Sequence, residues 1–193
     1  MNKILHIISS PKGTQSVTFK LGNAIIDKIK ATNKESRVTT LNLVTDPFPH
    51  ITVAHLEAFN TPADLRTPAQ AAMAQRSDDA IQALRDADTI VISAPMHNLS
   101  VPSTLKAFID HIVRAGVTFG FTDNQLEGLL KNKKAYIAFS AGWDFSQPAL
   151  NPLDFSVPYI RAILEFVGIS DVKEYRVEGQ QTDLANVISK MAV

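Results

Sequence analysis

The 193-residue chain has no cysteine, which excludes disulfide bonds, thiolate metal ligands and a cysteine nucleophile. It has no excess of charge: 19 Lys and Arg balance 19 Asp and Glu, so net charge favours neither nucleic acid nor anionic lipid as a partner. No apolar run approaches the roughly 18 residues that cross a bilayer. The first apolar segment begins at residue 3, so no signal peptide is expected. There is no Gly-x-Ser-x-Gly elbow, and His6, His50, His55, His97 and His111 show no metal-ligand spacing. His6 alternates within an apolar run and is expected inside. His111, placed opposite Leu105 and Phe108 on its helix, is expected at solvent or a subunit contact. With 45% hydrophobic residues the chain can bury a substantial core. The expectation is a cytoplasmic protein with one α/β domain over residues 1–193, acting on small molecules without nucleic acid or membrane.

What is present is alternation. Residues 3–9, 36–43, 88–95, 134–140 and 172–177 are short runs of the kind that form strands covered on both faces. Between them, apolar residues recur at helical spacing: Val17, Leu21, Ile25 and Ile29; Met73, Ala80, Ile81 and Leu84; Leu105, Phe108, Ile109, Ile112 and Val113; Ile160, Ile163, Leu164 and Val167; Leu184, Val187, Ile188 and Met191. Residues 44–68, with Pro47, Pro49, Pro62 and Pro68, read as a long irregular excursion, expected to border a pocket. Five strands alternating with helices predict a flavodoxin-like three-layer α/β/α fold, its five-stranded parallel sheet in the order 2-1-3-4-5. Ligands of such sheets bind beyond the carboxyl ends of the strands at the topological switch point.

That topology singles out three loops. The first, SSPKGTQSVT (residues 9–18), is dense in hydroxyls and has one glycine, Gly13, suited to a tight turn. It lacks a Walker ending and a dinucleotide fingerprint. Ser16 is a candidate N-cap, and free amides at a helix start together with Ser9, Ser10, Ser16, Val17 and Thr18 can cradle a phosphate. An ordinary capped helix is the alternative. The second loop, APMHNLSVP (residues 94–102), sets Pro95, Met96, His97, Asn98 and Leu99 at a strand end, where polar backbone and apolar side chains can flank a flat heterocycle. The third, FSAGWDF (residues 139–145), offers Ser140, Ala141 and Gly142 to a carbonyl edge and Trp143 to a planar face. Singly, Met96 reads as core filler and Trp143 as a core or interface aromatic. Together the loops suit one ligand, a phosphate bearing a planar, polar-edged ring, and flavin mononucleotide (FMN) has that shape.

The stretches SSPKGTQS, APMHNLSVPSTLKAFIDHIVRAGVTFGFT, GLLKNKKA and FVGISDV resemble the FMN-dependent NADH-azoreductase family of flavodoxin-like quinone and azo reductases. The resemblance implies bound FMN, with NADH or NADPH as co-substrate and a quinone or azo acceptor. It implies that Ser9, Ser16 and Thr18 hold the phosphate, that residues 95–99 flank the ring, and that Ser140 and Gly142 bind its pyrimidine edge. It also implies a homodimer with active sites at the interface, where aromatics of one subunit, here Phe119 and Phe121, reach over the flavin of the other. A small hairpin buried against its own subunit is the alternative for that pair. The sequence departs from the family at His97, commonly Tyr, at Leu99, commonly Phe, and at Ala141 and Trp143, where Arg and Gly are frequent. Trp143 is therefore expected to narrow the acceptor pocket, and His97 to add a titratable group. The family transfers hydride in a ping-pong cycle through the flavin, which accounts for the lack of a catalytic triad. Two other classes stand beside this one: an FMN electron carrier between proteins, disfavoured by the neutral charge balance, and a flavin-free α/β interaction protein.

Overall fold

Apolar β-branched runs set the architecture. The computed structural model describes residues 1–179 and 182–193. The chain runs through β1 (Lys3–Ile8), α1 (Val17–Thr32), β2 (Arg37–Asn42), α2 (Val53–Asn60), α3 (Pro68–Asp86), β3 (Thr89–Pro95), α4 (Ser103–Ile112), β4 (Phe119–Thr122), β5 (Gln125–Gly128), β6 (Lys134–Ala141), α5 (Val157–Phe166), β7 (Asp171–Glu178) and α6 (Leu184–Lys190). Five strands form a parallel sheet in the order β2-β1-β3-β6-β7. The numbering departs from 2-1-3-4-5 because an antiparallel hairpin, β4-β5, lies between the third and fourth strands of the sheet.

Side chains on the two faces of the sheet build two cores. On one face Leu5, Ile7, Ile90, Ile92, Ile137 and Phe139 pack against Ile81 of α3, Leu105 and Phe108 of α4, and Ile160 and Leu164 of α5. On the other, Ile4, Val91 and Tyr136 pack against Leu21, Ile25 and Ile29 of α1. Strands covered on both sides need apolar residues at consecutive positions, which is why β1 and β3 read as unbroken hydrophobic runs.

The structure corrects two expectations. The excursion over residues 44–68 is not irregular throughout, because α2 occupies its centre, opened by a capping box between Thr52 and His55. Within this segment α2 packs against α3, and Phe48 and Pro49 reach Phe108 and His111 of α4. His111 is fully buried: its Nε2 lies 2.9 Å from the Pro49 carbonyl, and the rings of Phe48, His55 and Phe59 surround it. The excursion folds back over the helix side that sequence alone assigns to solvent. Burial holds the His111 pKa below the usual histidine value. The hairpin that the sequence offers as an alternative for Phe119 and Phe121 is present: residues 119–128 form β4-β5, turning through Asp123 and Asn124 with positive φ of 51° and 61°.

Candidate functional site

The three loops meet at the carboxyl rim of the sheet because hydrogen bonds tie each to the next. Ser9 N–H and the Ser9 hydroxyl both donate to the Ser93 carbonyl, at 3.1 and 3.0 Å, joining the first loop to β3. Met96 N–H donates to Ser140 O at 2.8 Å, joining the second loop to the third. The Thr104 hydroxyl, in the first turn of α4, reaches Ser9 O at 3.5 Å.

In the first loop Gly13 has φ of +55°, as a tight turn requires. Ser16 is the N-cap of α1 with extended backbone, yet its side chain makes no cap to its own helix. Its hydroxyl lies 2.9 Å from the Thr18 hydroxyl, and both are buried. The first bond of α1 runs from Lys20 N–H to Ser16 O at 3.1 Å, so the amides of Val17, Thr18 and Phe19 precede the helical ladder. No acidic residue stands in the first turn. Amides, dipole and hydroxyls thus favour an anion here. Ser10 is buried beside them, while Val17 is exposed.

The second loop is a tight turn. His97 N–H donates to Ser100 O at 2.8 Å and Ser100 N–H returns to His97 O at 3.1 Å. Asn98 and Leu99 between them have φ of 49° and 70°, the signature of a type I′ turn. Asparagine tolerates this region well; leucine does so at a cost on the order of 1–3 kcal/mol, a strain typical of ligand-binding turns. Phe155 N–H donates to Leu99 O at 3.0 Å and helps to hold it. Pro95 and Met96 are half-buried beneath, and His97 and Asn98 are exposed.

In the third loop Ser140 and Ala141 are half-buried and Gly142 faces open space. Trp143 is 66% exposed, so it is not a core aromatic. The two hairpin phenylalanines part company. Phe119 packs against Phe166 of the same chain with ring centroids 4.5 Å apart, whereas Phe121 is 71% exposed.

Sequence reading missed Ser93, which fastens the first loop, and Phe155, 54% exposed and bonded to the second. Phe155 also lines a cleft of about 690 Å³ together with His97, Asn98, Lys106 and Tyr159. No local signal marks Ser93, and Phe155 stands in a segment whose prolines predict only a loop.

Beneath the rim, the His6 Nε2 in β1 lies 2.8 Å from the Ser93 hydroxyl, and desolvation lowers the His6 pKa to about 4. Gly22 of α1 sits directly over this pair, since a Cβ there would fall 2.3 Å from Ser93 Oγ and 2.7 Å from His6 Nε2. The close approach seats the start of α1 against the rim.

A family model described as a flavodoxin-like fold matches residues 2–192. The chain belongs to this flavodoxin-like family. Among curated relatives, an FMN-dependent NADH:quinone oxidoreductase of Herminiimonas arsenicoxydans is 44% identical, covering 93% of this chain and 88% of that protein. Another of that name from Azotobacter vinelandii is 36% identical, covering 100% and 98%. Among solved structures, an FMN-dependent NADH-azoreductase from Bacillus anthracis in complex with FMN superposes with a TM-score of 0.85 at 28% identity, covering 98% of this chain and 93% of that one. In flavodoxin-like terms, the rim built here stands at the β1/β3 switch point, where the connections diverge.

Proposed function

We infer that this chain is an FMN-dependent NAD(P)H oxidoreductase that reduces quinones and azo compounds. The observation that carries the reading is the uncapped start of α1, with Ser16 and Thr18 buried beside it, on the same rim as the strained Asn98–Leu99 turn. The residues fit FMN: an anion cradle lies at one loop, and the two ring-sized loops are hydrogen-bonded to each other. Curated relatives that match nearly the whole chain carry FMN and NADH in their names.

When bound, FMN supplies the redox chemistry, accepting hydride from the nicotinamide and delivering two electrons to the acceptor. The protein binds and orients. The amides of Val17 and Thr18 and the hydroxyls of Ser16 and Thr18 hold the phosphate, with Ser10 and Gly13 shaping the loop around it. Ser9 contributes by fastening the loop, because its hydroxyl is engaged with Ser93 O. Pro95, Met96, Asn98 and Leu99 flank the ring, and Ser140, Ala141 and Gly142 meet its pyrimidine edge. Backbone donors at that edge would offset the negative charge gained by the bound group on reduction. His97 and Trp143, both exposed, border the acceptor. The protein works as a single domain over residues 1–193 and as a cytoplasmic homodimer. Phe121, exposed on the hairpin, would cover the flavin of a second subunit, while Phe119 anchors the hairpin on Phe166.

Steady-state oxidation of NADH and NADPH with menadione and an azo dye tests the reading. Rapid turnover with parallel double-reciprocal lines, the ping-pong pattern, is expected. FMN-loaded protein that passes electrons only to a protein partner would place it among the electron carriers.

A further inference from the structure

The second and third loops converge from different strands, and one side chain outside both is bound to the framework of each. Arg176, on β7, is the register partner of Phe139 at the end of β6, and its guanidinium lies 4.9 Å from the centre of the Phe139 ring. Ser140 follows Phe139 directly. The same guanidinium pairs with the Asp154 carboxylate. Asp154 is buried, and its other oxygen accepts the amides of Ser156 at 2.9 Å and Val157 at 3.2 Å where α5 begins. The next residue, Phe155, is the donor that holds the strained Leu99. A continuous path therefore runs from Phe139 through Arg176, Asp154 and Phe155 to Leu99.

Arg176 is also the cation among several carboxylates at this rim. Besides Asp154 it faces Glu178 at 3.2 Å and Glu174 at 3.4 Å, the latter shared with Arg161. Glu178 is buried at the register position of Ala141 in the third loop.

We propose that Arg176 is a positioning residue for the flavin: it fixes the spacing of the second and third loops and offsets the carboxylates beneath the pyrimidine edge. The inference deepens the FMN reading and rests on it. A ring gripped between two loops binds tightly only if their spacing is set beforehand. Reduction brings negative charge to the ring, and uncompensated carboxylates nearby make that charge harder to accept. Burial already pushes the Glu178 pKa up despite Arg176, so this cluster is poorly solvated.

The test uses the full chain with Arg176→Gln, Arg176→Lys and Asp154→Asn, reading FMN affinity by fluorescence, the FMN midpoint potential, and melting temperature. Arg176→Gln is expected to weaken FMN binding by roughly tenfold, equivalent to 1.4 kcal/mol, and to make the midpoint potential more negative. Arg176→Lys keeps the charge but loses the planar fork, so it restores the potential more than the affinity. Asp154→Asn retains an oxygen for the Ser156 and Val157 amides. It is expected to loosen FMN as well, with the double variant Arg176→Gln/Asp154→Asn no worse than the poorer single. Wild-type affinity and potential in Arg176→Gln, or strictly additive effects in the double variant, overturn the proposal. If Arg176→Gln does not fold, unchanged FMN affinity in Asp154→Asn overturns it alone. Failure of the wild-type chain to bind FMN would instead remove the functional reading.

Discussion

Replacing Gly22 by Ala gives the sharpest test of how α1 is seated. The added methyl carbon would stand 2.3 Å from Ser93 Oγ and 2.7 Å from His6 Nε2, inside any real carbon contact. Neither obstacle is a flexible tip: both side chains are buried and bonded to each other. Two adjustments are available. The serine hydroxyl can turn away, leaving the imidazole without its partner at a cost of about 1–3 kcal/mol. Alternatively α1 can lift from the sheet, loosening Leu21, Ile25 and Ile29, an overpacking cost of about 1–3 kcal/mol. Alanine regains roughly 1 kcal/mol of helix propensity over glycine. If both adjustments are made, the gross cost is about 2–6 kcal/mol, and the net loss about 1–5 kcal/mol. Urea unfolding of the apoprotein reads this directly, and melting should fall by about 2–4 °C per kcal/mol for a chain of this size. FMN affinity should fall with it, since the amides of α1 would move off the rim. In Gly22→Ala/Ser93→Ala the nearest obstacle is gone, so the second substitution should cost less than it does alone. A Gly22→Ala protein as stable as wild type, or more so, would refute the reasoning.

Other outcomes follow from the same geometry. The His6 pKa is lowered to about 4, so its contribution to stability is complete above the unfolded value of 6.5 and is lost as pH falls toward 4. At 1.36 kcal/mol per unit that loss approaches about 3 kcal/mol, and unfolding curves of His6→Asn should be flatter over this window. Gly128→Ala places a carbon 2.0 Å from Gly168 N and 2.3 Å from Val167 C, both backbone, and should cost about 3 kcal/mol or more in denaturant unfolding. Trp143→Gly should reorder quinone and azo acceptors by kcat/KM while FMN affinity stays near wild type, because the indole is exposed. An unchanged acceptor ranking would remove Trp143 from the acceptor site.

Much of the sheet was legible because β1 and β3 are buried on both faces and show it as unbroken apolar runs. The meeting of the three loops at one rim was legible because strand order fixes the carboxyl edge of the sheet. What escaped depended on contacts distant in sequence. Four prolines hide α2, and its start signal, Thr52 with histidine as the third helical residue, departs from the usual capping pair. His111 stands on a side of α4 that only the returning excursion covers. The hairpin was legible only as an alternative, since it turns on Asp123-Asn124, a weaker signal than Asn-Gly. The stretches GLLKNKKA and FVGISDV supported a family resemblance without revealing why each has a glycine. In the structure Gly128 and Gly168 touch backbone to backbone, and Gly168 has φ of +102°. The resemblance implies a phosphate role for Ser9, and no local pattern shows that its hydroxyl donates to Ser93 O, a partner 84 residues away.

The account depends most on the start of α1 holding the phosphate of FMN. Titrating the apoprotein with FMN and, separately, with riboflavin measures this by flavin fluorescence. One FMN per chain should bind, more tightly than riboflavin by roughly tenfold or more. Equal affinity for the two, or no saturable site for FMN, would contradict it.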